Sequence, residues 1–155
     1  MKLEDIQVRT DIQKGDLGYL IYLHGTLYHF GLEFELYVAR TVYDFYKNMD
    51  VSKERVWLAE DRGRIIGSLA LKNTKGVGQL RYFLIDPDYR GLGLGRKMMD
   101  LFMQYCRASG YKSSFLLTED NLKTAKHLYN SYGYQYVSSK VTDFGLVEKR
   151  YELSL

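Results

Sequence analysis

Residues 80–97 read LRYFLIDPDYRGLGLGRK, and they join a predicted strand directly to a predicted helix. The mostly apolar residues 80–85 predict a strand, and Pro87, the only proline of the chain, ends it because proline has no N–H to donate. A glycine-rich turn at residues 90–95 leads directly into an amphipathic helix that begins near Arg96. Glycines at alternate positions allow consecutive N–H groups to face one concave spot at the positive end of the helix dipole. The stretch therefore predicts a site for a ligand that carries phosphate.

Spacing separates three phosphate-binding motifs that this turn could represent. A dinucleotide-binding fingerprint, G-x-G-x-x-G, needs glycine or alanine where the chain has Arg96. A P-loop that started at Gly91 would need its second glycine at the same position and a hydroxyl side chain in place of Met98. The pattern that fits is Q/R-x-x-G-x-G/A, with Arg90, Gly93 and Gly95 at its fixed positions.

This pattern resembles the acetyl-CoA pyrophosphate loop of the GNAT acyltransferase superfamily. Residues 80–95 are similar to the strand, turn and helix start of the central motif of that family. Downstream, residues 125–134 read AKHLYNSYGY and resemble its second motif, A-x-x-x-Y-x-x-x-G-F/Y, with Tyr129 at the tyrosine position. Two motifs in the right order and at the right separation identify the family, and the resemblance implies acetyl-CoA as co-substrate.

The resemblance extends toward the N-terminus. Residues 25–28, residues 34–39 and residues 57–60 are similar to the acetyltransferase half of fusions that carry a MarR-type winged helix. Together with the two motifs, these matches cover about residues 5–153. The chain is identified as a single GNAT acetyltransferase domain over residues 1–155, closest to the domain in the MarR-type fusions.

The apolar periodicity predicts the element order β-α-α-β-β-β-α-β-α-β-β. The predicted strands lie around Ile6 and Val8 and at residues 55–60, 65–71, 77–85, 114–117, 134–141 and 146–153. The predicted helices lie at residues 16–28, 34–49, 96–110 and 122–132. The fold class is therefore α+β, a three-layer α/β arrangement. The resemblance implies a mixed, mostly antiparallel central sheet of about seven strands with four flanking helices.

Composition and charge exclude several classes of function. The net charge of +3 is small and its basic residues are scattered, so no nucleic-acid partner is expected. The sequence has neither an apolar run of about 18 residues nor the features of a signal peptide, so a cytoplasmic protein without a membrane partner is expected. The single cysteine, Cys106, and the three histidines lack the spacing of a zinc site, and no metal is expected.

The resemblance also implies how the acyl carrier is held. In the family, the central strand diverges from the following strand, and the pantetheine arm enters the gap. Here the backbone of Phe83, Leu84 and Ile85 would bond its amides, and an N–H near Leu84 would stabilise the negative charge that develops on the thioester oxygen. The predicted pyrophosphate site consists of Arg90, Gly91, Leu92, Gly93, Leu94, Gly95 and Arg96. Asn121 is a further cofactor-binding candidate, with helix N-cap as its alternative role.

Tyr129 is the predicted catalytic acid. It matches the tyrosine that stands near the thioester sulfur in many GNAT enzymes and protonates the departing thiolate. On the residues alone, its helical face with Ala125 predicts a core position instead.

The general base is less defined, because the predicted central strand offers no carboxylate, which favours a small amine or an α-amine as acceptor. Glu33 is the candidate catalytic carboxylate, together with Glu35, because both fall between the predicted N-terminal helices, where the family shapes its acceptor pocket. Either could anchor an ammonium group or accept its proton, or could be a solvated loop residue. His24 and Tyr28 share a helical face and are further candidates.

Three functions are consistent with these patterns. The leading hypothesis is an N-acetyltransferase that moves acetyl from acetyl-CoA to a primary amine of a small molecule or peptide by direct attack in a ternary complex. The second is an acyl-CoA-binding regulatory module without turnover. The third is a nucleotide-dependent oxidoreductase with Glu119 or Asp120 on the ribose, which the missing third glycine disfavours. The chain could form a homodimer through aromatic residues near Tyr37, Tyr43 and Tyr46, or these residues could belong to the core.

Overall fold

The computed structural model describes residues 1–119 and 123–155, and its elements follow the predicted order. The strands are β1 (Gln7–Arg9), β2 (Arg55–Asp61), β3 (Arg64–Thr74), β4 (Val77–Ile85), β5 (Ser113–Glu119), β6 (Gln135–Val141) and β7 (Val147–Ser154). The helices are α1 (Asp16–Leu27), α2 (Gly31–Lys47), α3 (Leu94–Ala108) and α4 (Lys123–Ser131). Within these described ranges, the predicted α+β class with a 7-stranded sheet is confirmed.

The strands form one sheet in the order β1-β2-β3-β4-β5-β7-β6. Every neighbouring pair is antiparallel except β4 and β5, which run parallel. The turn between β2 and β3 has positive φ at both central residues, 50° at Arg62 and 79° at Gly63, which is the type I′ geometry that joins twisted strands. The strands predicted at residues 55–60 and 65–71 therefore form a hairpin.

Helices cover both faces of the sheet. On one face, α3 and α4 bury a cluster that includes Met98, Phe102 and Tyr129. On the other face, α1 and α2 bury a second cluster, which includes Leu20 and Phe45. This three-layer arrangement is what a sheet that is apolar on both sides requires.

The end of β4 separates from β5, and this separation opens the interior of the protein. The two strands pair only from Gly78 to Leu80, although β4 continues to Ile85 and β5 to Glu119. A β-bulge marks the point of divergence, since Tyr82 takes a φ of 50°, which is rare for a bulky residue. The divergence that the family resemblance implied is therefore present in this chain.

The bulge also changes which way the β4 side chains face. Leu80 and Phe83 belong to the cluster under α3 and α4, whereas Tyr82 and Leu84 belong to the cluster under α1 and α2. One extra residue reverses the alternation of a strand. The serine hydroxyl of Ser68 donates to the Tyr82 carbonyl at 2.5 Å and satisfies a backbone group that the bulge displaces.

Two helices begin earlier than the sequence predicts. Helix α2 begins at Gly31 rather than at residue 34, because Gly31 takes a φ of 86° and lets the chain turn into the helix soon after α1 ends. Glu33 and Glu35, which were expected in a loop, therefore lie in the first turns of α2. Helix α3 begins at Leu94 rather than near Arg96, with Gly93 at its N-cap.

An ion-pair network fixes the start of α1 against the sheet. The Arg9 guanidinium donates to both carboxylate oxygens of Asp16, at 2.8 and 2.9 Å, and to Glu60 on β2 at 2.8 Å. Asp16 is buried, and the hydrogen bond from Arg9 lowers its pKa. The network ties the first residue of α1, the helix that carries His24, to β1 and β2.

Candidate active site

The gap beside β4 opens into a large groove of about 470 Å³. Its walls are the end of β4, the glycine-rich loop and one side of α4. The residues that line it include Phe83, Leu84, Ile85, Arg90, Gly91, Gly93, Leu94, Gly95, Arg96, Lys123 and Tyr129. Cationic side chains and exposed backbone at one end, and apolar side chains at the other, suit an elongated ligand with a phosphorylated end.

The loop presents a row of backbone donors to the large groove. In the described part of the chain, the N–H groups of residues 91–96 donate to no acceptor, and the first helical bond runs from Lys97 N–H to the Gly93 carbonyl at 3.0 Å. Gly91 and Gly93 take φ values of 77° and 88°, which turn the donors toward the same side. This geometry, next to the N-terminus of α3, matches the requirements of a phosphate site.

Close packing explains the last glycine of the motif. A Cβ on Gly95 would lie 3.3 Å from Leu128 of α4 and 3.7 Å from the ring of Phe83. The position tolerates at most a small side chain, as the G/A alternative in the motif indicates. Arg96 is anchored to α4, where its guanidinium lies 3.3 Å from the Ser131 hydroxyl and 5.3 Å from the centre of the Tyr132 ring.

A small cavity of about 130 Å³ lies on the other side of β4. Helices α1 and α2 form its aromatic wall, and the strands β4, β5 and β7 form its floor. The residues that line it include His24, Tyr28, Phe30, Phe34, Tyr37, Arg81, Phe83, Glu119, Tyr129 and Glu148. Phe144, from the loop between β6 and β7, packs on the aromatic wall at 6.1 Å from Phe34 and 5.7 Å from Tyr37.

The large groove and the small cavity share three residues, namely Tyr28, Phe83 and Tyr129. The Tyr28 hydroxyl donates to the Phe83 carbonyl at 2.7 Å, so one backbone acceptor that was predicted to be open is already bonded. Burial raises the pKa of Tyr28 to about 12 and that of Tyr129 well above its ordinary value. Tyr129 is therefore a neutral phenol at physiological pH, located where the two spaces meet.

Glu119 brings a carboxylate to the small cavity. It ends β5 directly opposite Glu148 of β7, and its Oε2 is buried without a hydrogen-bond partner among the described residues. Burial, and secondarily the charge of Glu148, raise the pKa of Glu119 to about 7. A carboxyl group with this pKa exchanges protons readily near neutral pH.

His24 brings an imidazole to the same cavity. Its Nδ1 lies 2.8 Å from the Leu20 carbonyl and carries the proton of that hydrogen bond, which leaves Nε2 as an acceptor. Nε2 is buried, and within residues 1–119 and 123–155 it has no partner. Burial lowers the pKa of His24, so the ring is neutral at pH 7.

The predicted cofactor residues lie largely together. Nine of them line the large groove: Phe83, Leu84, Ile85, Arg90, Gly91, Gly93, Leu94, Gly95 and Arg96. The side chain of Leu92 packs instead against the core under α3 and α4, although its N–H belongs to the donor row. Asn121 and Asp120 lie outside the described residues.

The predicted acceptor residues separate. Glu33 is exposed on the first turn of α2 and lines neither space, and Glu35 packs over Gly25. His24 and Tyr28, which were expected on one helical face, both line the small cavity, although α1 ends at Leu27 and Tyr28 is its extended C-cap residue. The sequence interpretation did not place Glu119 in this cavity. Its signal was a carboxylate two residues after the apolar residues 115–117 of β5, the strand next to β4.

Comparison with known proteins decides the family. Residues 23–134 match the model of the acetyltransferase (GNAT) family. The chain belongs to the GNAT family. This membership confirms the family resemblance and rules out the oxidoreductase alternative, in agreement with Glu119 lying in the small cavity rather than beside the glycine loop.

Individual relatives match this GNAT chain over part of its length. Glucosamine 6-phosphate N-acetyltransferase of Trypanosoma brucei brucei is 32% identical over 88 residues, which are 52% of this chain and 58% of that relative. The match to N-acetyltransferase family 8 member 3 of Rattus norvegicus, at 31% identity, covers 51% of this chain and 37% of that relative. The chain thus spans less than two thirds of these relatives.

Solved structures share the fold of this GNAT chain over almost its full length. The acetyltransferase of Streptococcus agalactiae has a TM-score of 0.79 at 21% identity and covers 99% of this chain and 100% of its own. A GNAT family acetyltransferase from Elizabethkingia anophelis, with acetyl-CoA bound, has a TM-score of 0.70 at 13% identity. The match covers 98% of this chain and 99% of that one. At these identities the likeness concerns the fold.

Two further properties are limited to the described ranges. No helix there is long and apolar enough to cross a bilayer. Likewise, the side chains described include no group of three or more His, Cys, Asp or Glu residues that could hold a metal ion. Of the aromatic residues considered for a dimer contact, Tyr46 packs in the core under α1 and α2, and Tyr43 is 58% exposed.

Proposed function

We propose that this protein is an N-acetyltransferase that moves acetyl from acetyl-CoA to a primary amine of a small molecule or peptide by direct attack in a ternary complex. The observation that carries the proposal is the meeting of the large groove and the small cavity at Tyr28, Phe83 and Tyr129. Two substrates bound in the two spaces would reach each other there without a covalent enzyme intermediate. Membership of the GNAT family makes acetyl-CoA the expected co-substrate.

The large groove fits the acyl carrier. The N–H groups of residues 91–96, with Arg90 and Arg96 beside them, would bind the pyrophosphate, and Leu92 contributes through its N–H. The edge of β4 at residues 83–85, which faces the gap, would bond the amides of the pantetheine arm. Bound in this way, acetyl-CoA supplies an activated thioester carbonyl. Asn121 completes the proposed set.

Glu119 is the proposed general base. The ammonium group of the acceptor would give its proton to Glu119 Oε2, which is buried and lacks a partner among the residues described. The pKa of about 7 allows the carboxylate to be half ionised at neutral pH and still accept a proton. Glu33, the carboxylate indicated by the sequence, remains a weaker candidate because it is exposed and lines neither space.

The neutral amine would then attack the acetyl carbonyl at the junction of the two spaces. A backbone N–H near Leu84 would stabilise the negative charge on the carbonyl oxygen. As the C–S bond breaks, the Tyr129 hydroxyl would give its proton to the thiolate. The attacking nitrogen loses its extra proton as the amide forms, and this proton would return Tyr129 to the neutral phenol. The raised pKa of Tyr129 keeps this proton in place until the thiolate forms, and burial also raises the proton affinity of the thiolate.

The regulatory-module alternative predicts binding without turnover. A protein that only senses acyl-CoA has no use for a buried carboxylate oxygen in a second cavity that meets the groove, so Glu119 favours the enzyme. The finer resemblance to the domain of MarR-type fusions, the cytoplasmic location and the homodimer stay predictions from the sequence.

The test combines binding with turnover. Calorimetry should detect tight binding of acetyl-CoA and desulfo-CoA and none of NAD or ATP. The same protein should release free CoA from acetyl-CoA when a panel of primary amines is added, and mass spectrometry should detect acetylated amines. Binding of acetyl-CoA with no release of CoA by any amine would favour the regulatory module, and binding of NAD alone would refute the proposal.

A further inference from the structure

The small cavity contains unpartnered polar atoms of one kind. Of the described buried side-chain atoms that lack a hydrogen bond, Glu119 Oε2 and His24 Nε2 belong to residues that line this cavity. An ionised carboxylate oxygen only accepts hydrogen bonds, and Nε2 accepts because the Leu20 carbonyl holds the proton on Nδ1. His24 is only 3% exposed, so bulk water does not satisfy it. The complementary ligand group is a donor without acceptors.

The charge of the cavity points the same way. Glu119 and Glu148 stand directly opposite each other on neighbouring strands, and like charges in this arrangement repel. Glu148 forms an ion pair with Lys140 at 3.7 Å. The Lys140 side chain is 73% exposed, so this ion pair is weak. A cation bound between the two carboxylates would remove the repulsion.

Arg81 is the one cationic side chain among the described lining residues, because burial keeps His24 neutral. Its guanidinium lies 5.0 Å from the centre of the Tyr82 ring, a position that cation–π attraction stabilises. The two carboxylates, Glu119 and Glu148, therefore outnumber the one positive charge. A ligand that brought a negatively charged group into the cavity would be repelled.

The remaining wall is aromatic and limits the size of the ligand. Phe30 and Phe34 pack edge to face at 5.0 Å, and Phe30 stacks on Tyr28 at 5.7 Å. The volume of about 130 Å³ is close to the roughly 150 Å³ that accommodates a benzene ring. Such a space takes one ring or a short alkyl chain, and ring faces also attract an ammonium group.

We infer that the small cavity selects a compact primary amine that carries no negatively charged group, with its ammonium held by Glu119 and His24 and its carbon body against the aromatic wall. The inference rests on the proposed function, because it assigns the small cavity to the acceptor of that reaction. It excludes free amino acids and sugar phosphates as acceptors and includes arylalkylamines and short diamines.

Matched pairs of ligands test the inference without turnover. Phenethylamine and phenylalanine differ by one carboxylate, as do pentane-1,5-diamine and lysine. Each is titrated by calorimetry into the protein saturated with CoA. We expect each amine to bind at least about tenfold more tightly than its acid-bearing partner, a ratio equivalent to about 1.4 kcal/mol. Equal or tighter binding of the acids, as would follow if Arg81 received the carboxylate, would overturn the inference.

Variants locate the selectivity. Glu148→Gln should reduce the ratio between phenethylamine and phenylalanine at least about threefold, because it removes one repelling charge. The control is Glu152→Gln on the same strand, where Glu152 pairs with Arg150 at 2.8 Å outside the cavity, and it should keep the ratio. An unchanged ratio in Glu148→Gln, or an equal loss in both variants, would contradict the assignment.

The role of His24 needs a readout that a purely structural role would not move. His24→Gln keeps an acceptor in place of Nε2 and should retain amine binding within about threefold, whereas His24→Leu should lose it about tenfold. Both should bind CoA as the parent does. Equal amine binding by the two variants would overturn the role of His24.

Failure of this inference and failure of the proposed function give different results. Preferential amine binding without acetyl transfer would refute only the proposed acetyltransferase function. Acetyl transfer to phenylalanine and lysine at rates equal to those of the amines would refute only the inferred selectivity of the small cavity.

Discussion

The large groove and the small cavity are built in different ways, although they share a wall. The pyrophosphate end of the groove uses backbone N–H groups from one continuous segment, residues 91–96. The cavity uses side chains from α1, α2, β4, β5, α4 and β7, between His24 and Glu148. A backbone site binds what all its ligands have in common, whereas a side-chain site can differ from one relative to the next. If the proposed function is correct, the groove would carry the chemistry that relatives share, and the cavity would carry the specificity for the acceptor.

The largest effect should come from the cavity. Glu119→Gln removes the proposed base and should lower kcat about 100- to 1,000-fold, while acetyl-CoA binding stays within about twofold. In the parent protein, kcat should rise with pH through about 7 as Glu119 loses its proton, and this limb should be absent from the residual activity of the variant. Steady-state kinetics from pH 5.5 to 9 measure both.

Glu33→Gln is the matched control for this change, since Glu33 is exposed and lines neither space. It should leave kcat within about twofold of the parent, as surface substitutions do. A large loss of activity in Glu33→Gln with none in Glu119→Gln would exchange the roles of the two carboxylates.

The next effect should come from the groove. Gly93→Glu places a side chain where φ is 88° and a carboxylate next to the phosphate donors, so acetyl-CoA affinity should fall at least about 100-fold. Gly110→Glu, at a comparable φ of 82° with open space around it, imposes similar backbone strain away from the groove. Calorimetry should find parent-like affinity in this control. Equal losses in both variants would mean that strain, not the site, weakens binding.

A smaller effect is expected at the junction of the two spaces. Tyr129→Phe should lower kcat about 10- to 100-fold and leave the Kd of acetyl-CoA within about twofold, because only the proton donor is lost. Tyr134→Phe is the control, since the Tyr134 hydroxyl bonds the buried Ser114 hydroxyl at 2.7 Å and lines neither space. That variant should lose stability rather than kcat. Unchanged kcat in Tyr129→Phe would leave Tyr129 as a packing residue.

A shift in pH dependence should follow from a change in the neighbour of Glu119. Glu148→Gln removes the like charge that helps raise the pKa of Glu119, so the acidic limb of the kcat profile should move to lower pH. Burial, the larger cause, persists, and the pKa should stay above the ordinary 4.5. A limb that moved to higher pH would show that the charge of Glu148 does not raise the pKa of the catalytic base.

The smallest effect should appear in stability. Because the folded pKa of Glu119, about 7, lies above its ordinary value of 4.5, the folded state holds a proton between these pH values that the unfolded state has released. The free energy of unfolding should therefore fall as pH rises across this window and level off above it. Glu119→Gln should lack this contribution, so its Tm relative to the parent should be higher at pH 8 than at pH 4.5. An unchanged Tm difference would indicate that the carboxyl group is not raised in pKa.

The groove could be predicted from the sequence because its parts are local. Gly91 and Gly93 take the positive φ that the turn requires, and Gly95 packs closely against Leu128. Nine of the predicted cofactor residues line the groove, whereas the side chain of Leu92 does not. The acceptor cavity could not be predicted in the same way. Glu33 looked suitable because it seemed to occupy a loop, but Gly31 lets α2 begin earlier and the carboxylate points to solvent.

Periodicity and glycine spacing act over a few residues, so the amino-acid sequence alone predicts the order of the elements and the glycine-rich turn before α3. Which carboxylate and which imidazole line the small cavity depends on the tertiary structure. The bulge at Tyr82 opens the gap between β4 and β5, and the pairing of β5 with β7 sets Glu119 against Glu148. Burial then lowers the pKa of His24 and, with the charge of Glu148, raises that of Glu119. These surroundings come from residues far apart in the chain.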